Sequence, residues 1–142
     1  MKKIVIFVHG EKFLEFIENN SLHKDYEKAC KAKISWSLIG GHLNKDDKNF
    51  PQHLRKLQNA DIFLCDSDNT NMEGEIENIN FEVICHKNLV NALEQIKEKN
   101  PHLEIFIKNF PYIPQNERNN LANYGKIIES WFDDDVLGTI KK

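Results

Sequence analysis

Asp66 and Asp68 stand one residue apart at the end of an apolar run. Two carboxylates in that pattern can turn toward one cation, and their hard oxygens suit Mg²⁺. Lys108 closes another apolar run, where its ammonium can neutralise a phosphate, pair with Asp66, or stand in solvent. His9 and His86 each follow an apolar run as well. If those chain ends converge, the two imidazoles and two aspartates make a donor set for a transition metal. Asp also caps turns and helix starts as a matter of local hydrogen bonding, so position in the fold decides between chemistry and capping. Other signatures are absent from the sequence. There is no GxGxxG or GxxxxGK[ST] phosphate loop, and no GxSxG nucleophile elbow. Gly40-Gly41 reads as a turn, and Asp133-Asp134-Asp135 as a solvated helix end.

The elements that must position these residues follow from the apolar pattern. Ile4 to Val8 is continuously apolar and reads as a strand buried on both faces. Phe13, Phe16, Ile17, Leu22, Tyr26, Ala29 and Cys30 fall at helical spacing, with a break near Asn20. Ile34, Trp36 and Leu38 alternate with serines, which predicts a half-buried edge strand. Pro51 marks a helix start, continued by Leu54 and Leu57. Asp61 to Cys65 predicts a third strand that delivers Asp66-Ser67-Asp68. A helical turn or two is expected between Met72 and Ile79. Phe81 to Cys85 predicts a fourth strand ending at His86, and Asn88 a cap for a helix striped by Leu89, Ala92, Leu93 and Ile96. Asn100-Pro101 stops that helix. Leu103 to Ile107 predicts a fifth strand, at an edge because Glu104 lies in it, and Leu121, Tyr124, Ile128 and Trp131 the inner stripe of a last helix.

This alternation predicts a three-layer, doubly wound α/β fold: a five-stranded parallel sheet of (βα)5 type, flavodoxin-like or receiver-like, in one domain spanning 1–142. Ligands of such sheets sit beyond the carboxyl ends of the strands. That rule selects His9-Gly10-Glu11, Gly40-Gly41-His42, Asp66-Ser67-Asp68, His86-Lys87 and Lys108-Asn109.

Composition limits the function classes. The chain has 142 residues, 40% hydrophobic and 29% charged, as a folded domain should. Its net charge of -3, from 19 basic and 22 acidic residues, lacks the basic excess of a sequence-independent nucleic-acid binder. Cys30, Cys65 and Cys85 form no CxxC pair, which suggests a reducing compartment, and Cys65 and Cys85, at the ends of apolar runs, read as buried small hydrophobes. The apolar run after Met1-Lys2-Lys3 is too short for a signal peptide, and no run is long enough to span a bilayer. A cytoplasmic location is expected.

With these strand ends in view, the chain resembles a receiver domain of bacterial response regulators over nearly its whole length. Lys3 to Leu14 is similar to that family's first strand and helix, and Asp61 to Asp66 to the strand bearing its phospho-accepting aspartate. The resemblance assigns that role to Asp66. It sets Ile107-Lys108-Asn109-Phe110 on the family's Lys-Pro-Phe ending. His9 and Gly10 stand where the family carries its metal-binding acidic pair, His86 where it carries Thr or Ser, and Ile105 at its aromatic switch position. The resemblance therefore implies a degenerate receiver: a protein-interaction module in which Asp66 and Lys108 form a fixed ion pair. Its partner, or a second copy, would dock on the last two helices, around Leu89 to Lys99 and Gln115 to Phe132.

Two alternatives stay open. Val8-His9-Gly10-Glu11 with Asp66-Ser67-Asp68 is similar to the TOPRIM pattern of primases, topoisomerases and some nucleases. That resemblance implies Mg²⁺-dependent phosphoryl transfer on nucleic acid. A flavodoxin-like binder of a nucleotide or another small ligand is the third reading.

Overall fold

The computed structural model describes residues 1–8, 22–41, 43–67, 79–109 and 114–142, and for 79–86 the backbone alone. Five strands are present: β1 (Lys2–Phe7), β2 (Ile34–Ile39), β3 (Ile62–Asp66), β4 (Glu104–Lys108) and β5 (Lys126–Ile128). The described helices are α1 (Leu22–Cys30), α2 (Phe50–Gln58), α3 (Ile79–Lys99), α4 (Gln115–Leu121) and α5 (Asp134–Lys141). All strand pairs are parallel, in the order β2-β1-β3-β4-β5. The chain starts near the middle, steps out to β2, then crosses back past β1 to build the other side. The direction of winding therefore reverses between β1 and β3, the position at which doubly wound sheets generally bind their ligands.

Side-chain alternation along the strands builds two cores. Val5, Phe7, Phe63, Cys65, Ile105 and Ile107 face one way and pack with Phe50 and Leu57 of α2, Leu89, Leu93 and Ile96 of α3, and Leu121 of α4. Ile4, Ile6, Ile62, Leu64, Phe106 and Ile128 face the other way, against Leu22 and Tyr26 of α1 and Val136 and Ile140 of α5. The result is the three-layer (βα)5 architecture expected from the pattern.

Local chemistry sets the helix limits. Pro51 lies in the first turn of α2, where its missing N–H has no intrahelical duty. Asp133 caps α5 by accepting from the Asp135 amide, acidic residues fill the first turn, and Lys141 lies in the last. The Asn100 side-chain nitrogen after α3 donates to the carbonyls of Leu57 (3.0 Å) and Ala60 (2.9 Å), tying the ends of two helices to the entrance of β3. Asp61 performs a similar service for β1, its carboxylate accepting from the Lys3 amide at 2.8 Å. Gly41, with φ of 87°, makes the turn expected after β2.

Three expectations are corrected. Phe81 to Cys85 is not a strand but part of α3, so Asn88 is interior to the helix rather than its cap. A short apolar run fits a buried strand and a buried helix equally well, and only its continuity with the Leu89 stripe decides. Leu103 to Ile107 is not the outer strand. It corresponds to β4, which lies between β3 and β5, and Glu104 is exposed because β5 pairs only from Phe106 onward. The single last helix resolves into α4, strand β5 and α5, with Ile128 buried on the strand.

Gly125 enters β5 pressed against β4: a Cβ there would lie 2.6 Å from the Ile105 carbonyl oxygen and 2.8 Å from its Cγ2. Gly125→Ala should destabilise the fold by about 1–3 kcal/mol, because the obstacle is backbone that cannot swing aside. Urea denaturation measures this, and an unchanged midpoint would mean the approach is not close. A pH effect follows from His53 on α2. Its Nδ1 is buried without a partner, and burial first, then the Lys56 ammonium, lower its pKa below the ordinary 6.5, with Asp47 opposing. Below that ordinary value the unfolded chain takes up the proton more readily than the folded one. Stability should therefore decline as pH falls from 6.5 through the lower folded value, and His53→Gln should flatten that stretch of the stability-pH curve.

Candidate functional site

The carboxyl ends of β3 and β4 meet in register, with Asp66 directly opposite Lys108. In a parallel pair, residues in register project to the same face, here that of Leu64 and Phe106. Asp66 is only 9% exposed, and Ser67 beside it is fully buried. A charged residue at that depth is uncommon unless a specific environment holds it. Burial pushes the neighbouring Cys65 thiol up, and the Asp66 charge adds to the rise, so Cys65 stays protonated and inert.

The residues around this pair hold the two strand ends together. The Ser67 amide donates to the Lys108 carbonyl at 3.1 Å, and its hydroxyl donates to the same oxygen at 2.6 Å. One step outward, the Asn109 amide donates to the Ile128 carbonyl at 2.8 Å. The Asn109 side-chain nitrogen reaches both Glu129 oxygens, at 3.0 and 3.3 Å. Asn109 thus extends the ladder from β4 to β5 where a proline could not donate.

Lys108 reaches past the sheet edge. Its ammonium sits over the Trp131 ring, 5.6 Å from the centroid, an attraction worth about 0.5–1 kcal/mol at a partly exposed site. The Trp131 carbonyl accepts from the hydroxyl of Tyr26, which is fully buried on α1. Burial, and then the nearby Cys30, raise the Tyr26 pKa, so its hydroxyl is a proton donor at all ordinary pH. Tyr26 also makes edge contacts with Trp36, at 6.3 Å between centroids, and Phe132, at 5.3 Å. The lysine at the carboxyl edge is therefore backed by an aromatic cluster that reaches across one face to β2.

The proposed site residues fare unequally. Asp66 and Lys108 are brought side by side at backbone level. His9 and Asp68 lie outside the described residues, so the Asp66–Asp68 cation pair is not among the described geometry. His86 lies within α3 and not after a strand, which removes the premise on which it joined the strand-end set. Among the described residues, no group of three or more His, Cys, Asp or Glu side chains could hold a metal ion. Of the cation ligands expected from the sequence, the described residues therefore include one carboxylate, that of Asp66. Sequence reasoning missed Trp131 as a site residue, because it fell on an apparent helix stripe. It also gave Ser67 no role of its own, although a serine next to a buried carboxylate at a strand end is a signal for such a tie.

Comparison with known proteins bears on the fold. No protein-family model and no curated protein matches the sequence. Solved structures resemble it, among them two from Burkholderia. One is a pilus assembly-related protein of Burkholderia pseudomallei, at 14% identity and a TM-score of 0.55, covering 98% of this chain and 89% of the other. The second is a pilus assembly protein (CpaE) of Burkholderia thailandensis, at 13% identity and a TM-score of 0.58, covering 100% of both chains. At such identities the likeness is one of fold.

The Ser67 hydroxyl bond is short and part-buried, so its loss should be felt. Ser67→Ala should cost about 1 kcal/mol of stability by urea denaturation. A cost close to zero would show that the Ser67 amide alone holds Lys108 in place.

Proposed function

We propose that the chain is a signalling or protein-interaction module that uses a receiver-like fold without phosphoryl transfer. One observation carries this reading: the polar groups flanking Asp66 are engaged by the fold. The Ser67 hydroxyl is committed to the Lys108 carbonyl, and the Lys108 ammonium rests over Trp131. A group that attacks or senses a phosphoryl must be able to reorient toward it, whereas these brace two strand ends and an aromatic cluster. In this reading the Asp66–Lys108 pair serves as a fixed electrostatic element of the carboxyl edge.

Binding would then be the work of the outer surface. The earlier pair of helical segments becomes the exposed side of α3 from Leu89 to Lys99, together with α4 and the open edge strand β5 within Gln115 to Phe132. An edge strand offers unpaired backbone groups to a partner or to a second copy. Both structural neighbours are named for pilus assembly, and a module that acts by docking is in keeping with such a role. No described helix is long and apolar enough to cross a membrane.

The test is incubation with acetyl phosphate and Mg²⁺, followed by intact-mass measurement. The expected spectrum shows no stable gain of a phosphoryl group. A gain that disappears in Asp66→Asn would overturn the reading and make the chain an active receiver.

A further inference from the structure

Opposite the Asp66 edge, where the strands begin, three open grooves meet. The largest, of about 610 Å³, is lined by Lys2, Ala32, Lys33, Asp61, Lys141 and Lys142, with Met1 and Ile140 beside them. A second, of about 470 Å³, has Lys97, Glu104, Lys126 and Asp135, and a third, of about 340 Å³, has Lys2, Asp61, His102 and Glu104. Lys142 lines all three, so they form one continuous surface.

The lysines on this surface differ in what they already do. Lys97 donates to the Leu103 carbonyl at 2.8 Å, and Lys126 pairs with Asp133 and Asp135. Lys141 stands in the last turn of α5, where a cation answers the carbonyl end of the helix. Lys2 and Lys33 stand at the starts of strands and have no such duty. Among the described residues, the ammonium groups of Lys2, Lys33, Lys141 and Lys142 make no hydrogen bond or ion pair. All of them line the largest groove, whose one side-chain carboxylate, Asp61, is bound to the Lys3 amide. Like charges gathered this way raise the local potential although the chain as a whole carries -3.

We infer that this groove docks an acidic segment of a partner protein. Its lining has no aromatic ring on which a base could stack, and the net negative charge opposes a long nucleic acid. Its donors are long lysines, exposed at Lys33, Lys141 and Lys142 and half-buried at Lys2, rather than converging backbone amides, which suits an extended chain of carboxylates better than one small phosphate. Met1 and Ile140 give such a segment an apolar contact beside the charged ones, and the carboxylates of Glu104 and Asp135 at the far end limit how far its acidic stretch can extend. This surface lies at the opposite end of the strands from Asp66 and Lys108, and it does not depend on how they are read.

Fluorescein-labelled hexaglutamate is the probe, followed by fluorescence anisotropy against the full chain. Binding is expected, weakening by about tenfold or more between ~50 and ~300 mM salt as screening shortens. Lys2→Gln/Lys33→Gln/Lys141→Gln/Lys142→Gln should weaken it by a further tenfold or so. Lys24→Gln/Lys28→Gln/Lys45→Gln/Lys48→Gln removes the same charge from exposed positions that do not line these grooves, and should leave binding nearly unchanged. Thermal melts of both variants check that each remains folded. Failure of hexaglutamate to bind, equal weakening by the two variants, tighter binding of hexauridylate, or displacement by equimolar inorganic phosphate would each overturn the assignment.

Discussion

β3 lies between β1 and β4 with helices on both faces of the sheet, and from Ile62 to Asp66 every residue on it is buried. Its backbone groups pair with two neighbours, and its side chains fill both cores. A strand in that position can offer solvent almost nothing along its length. Whatever it contributes must come at its ends, and its two ends are built differently. At the entrance, Asp61 and Asn100 fix the backbone by hydrogen bonds to β1, α2 and the approach to β3 itself. At the exit, Asp66 places a carboxyl group at the boundary between core and solvent. The register with β4 then determines which residue stands beside it.

That register lets the described residues of the carboxyl edge brace one another. Ser67 and Asn109 occupy equivalent places one step beyond β3 and β4, and each reaches sideways to the next strand. The bracing therefore runs from β3 through β4 to β5, and the Lys108–Trp131 contact carries it on to the segment before α5. Because Tyr26 is tied to the Trp131 carbonyl, α1 is coupled to the same edge along one face of the sheet. At the opposite end Asp61, Asn100, Lys97 and Lys126 are likewise engaged, whereas Lys2, Lys33, Lys141 and Lys142 line an open groove with their ammonium groups unpaired among the described residues.

The central part of this arrangement was legible in the sequence because its residues obey one rule at a time. Ile4 to Val8 and Ile62 to Cys65 are continuous apolar runs bounded by polar residues, and they mark β1 and β3. Ile34, Trp36 and Leu38 alternate with serines, and β2 is an edge strand. Asp66 and Lys108 were found because charged residues rarely close apolar runs without being at a strand end. The second half of the chain was harder. Phe81 to Cys85 has the composition of a strand but continues into a long helix. The stripe from Leu121 to Trp131 hid a three-residue strand, too short for any periodicity to register. With Lys126 exposed and Ile127 only partly buried, β5 owes its existence to β4 beside it rather than to its own sequence. His86 was misplaced with the false strand, and Trp131 was overlooked with the false helix.

Trp36 and Trp131 are the two tryptophans of the chain, and both adjoin Tyr26. Trp36 stacks with His23 at 6.0 Å between centroids, while Trp131 lies beneath the Lys108 ammonium. Indole emission responds to a nearby cation and to the polarity of its surroundings. The chain therefore carries an optical reporter of its own: Trp131 senses any event that draws Lys108 away, and Trp36 senses the packing of α1 on the sheet. Single replacement of either indole by phenylalanine would separate the two signals, allowing the state of the carboxyl edge to be followed without an attached dye.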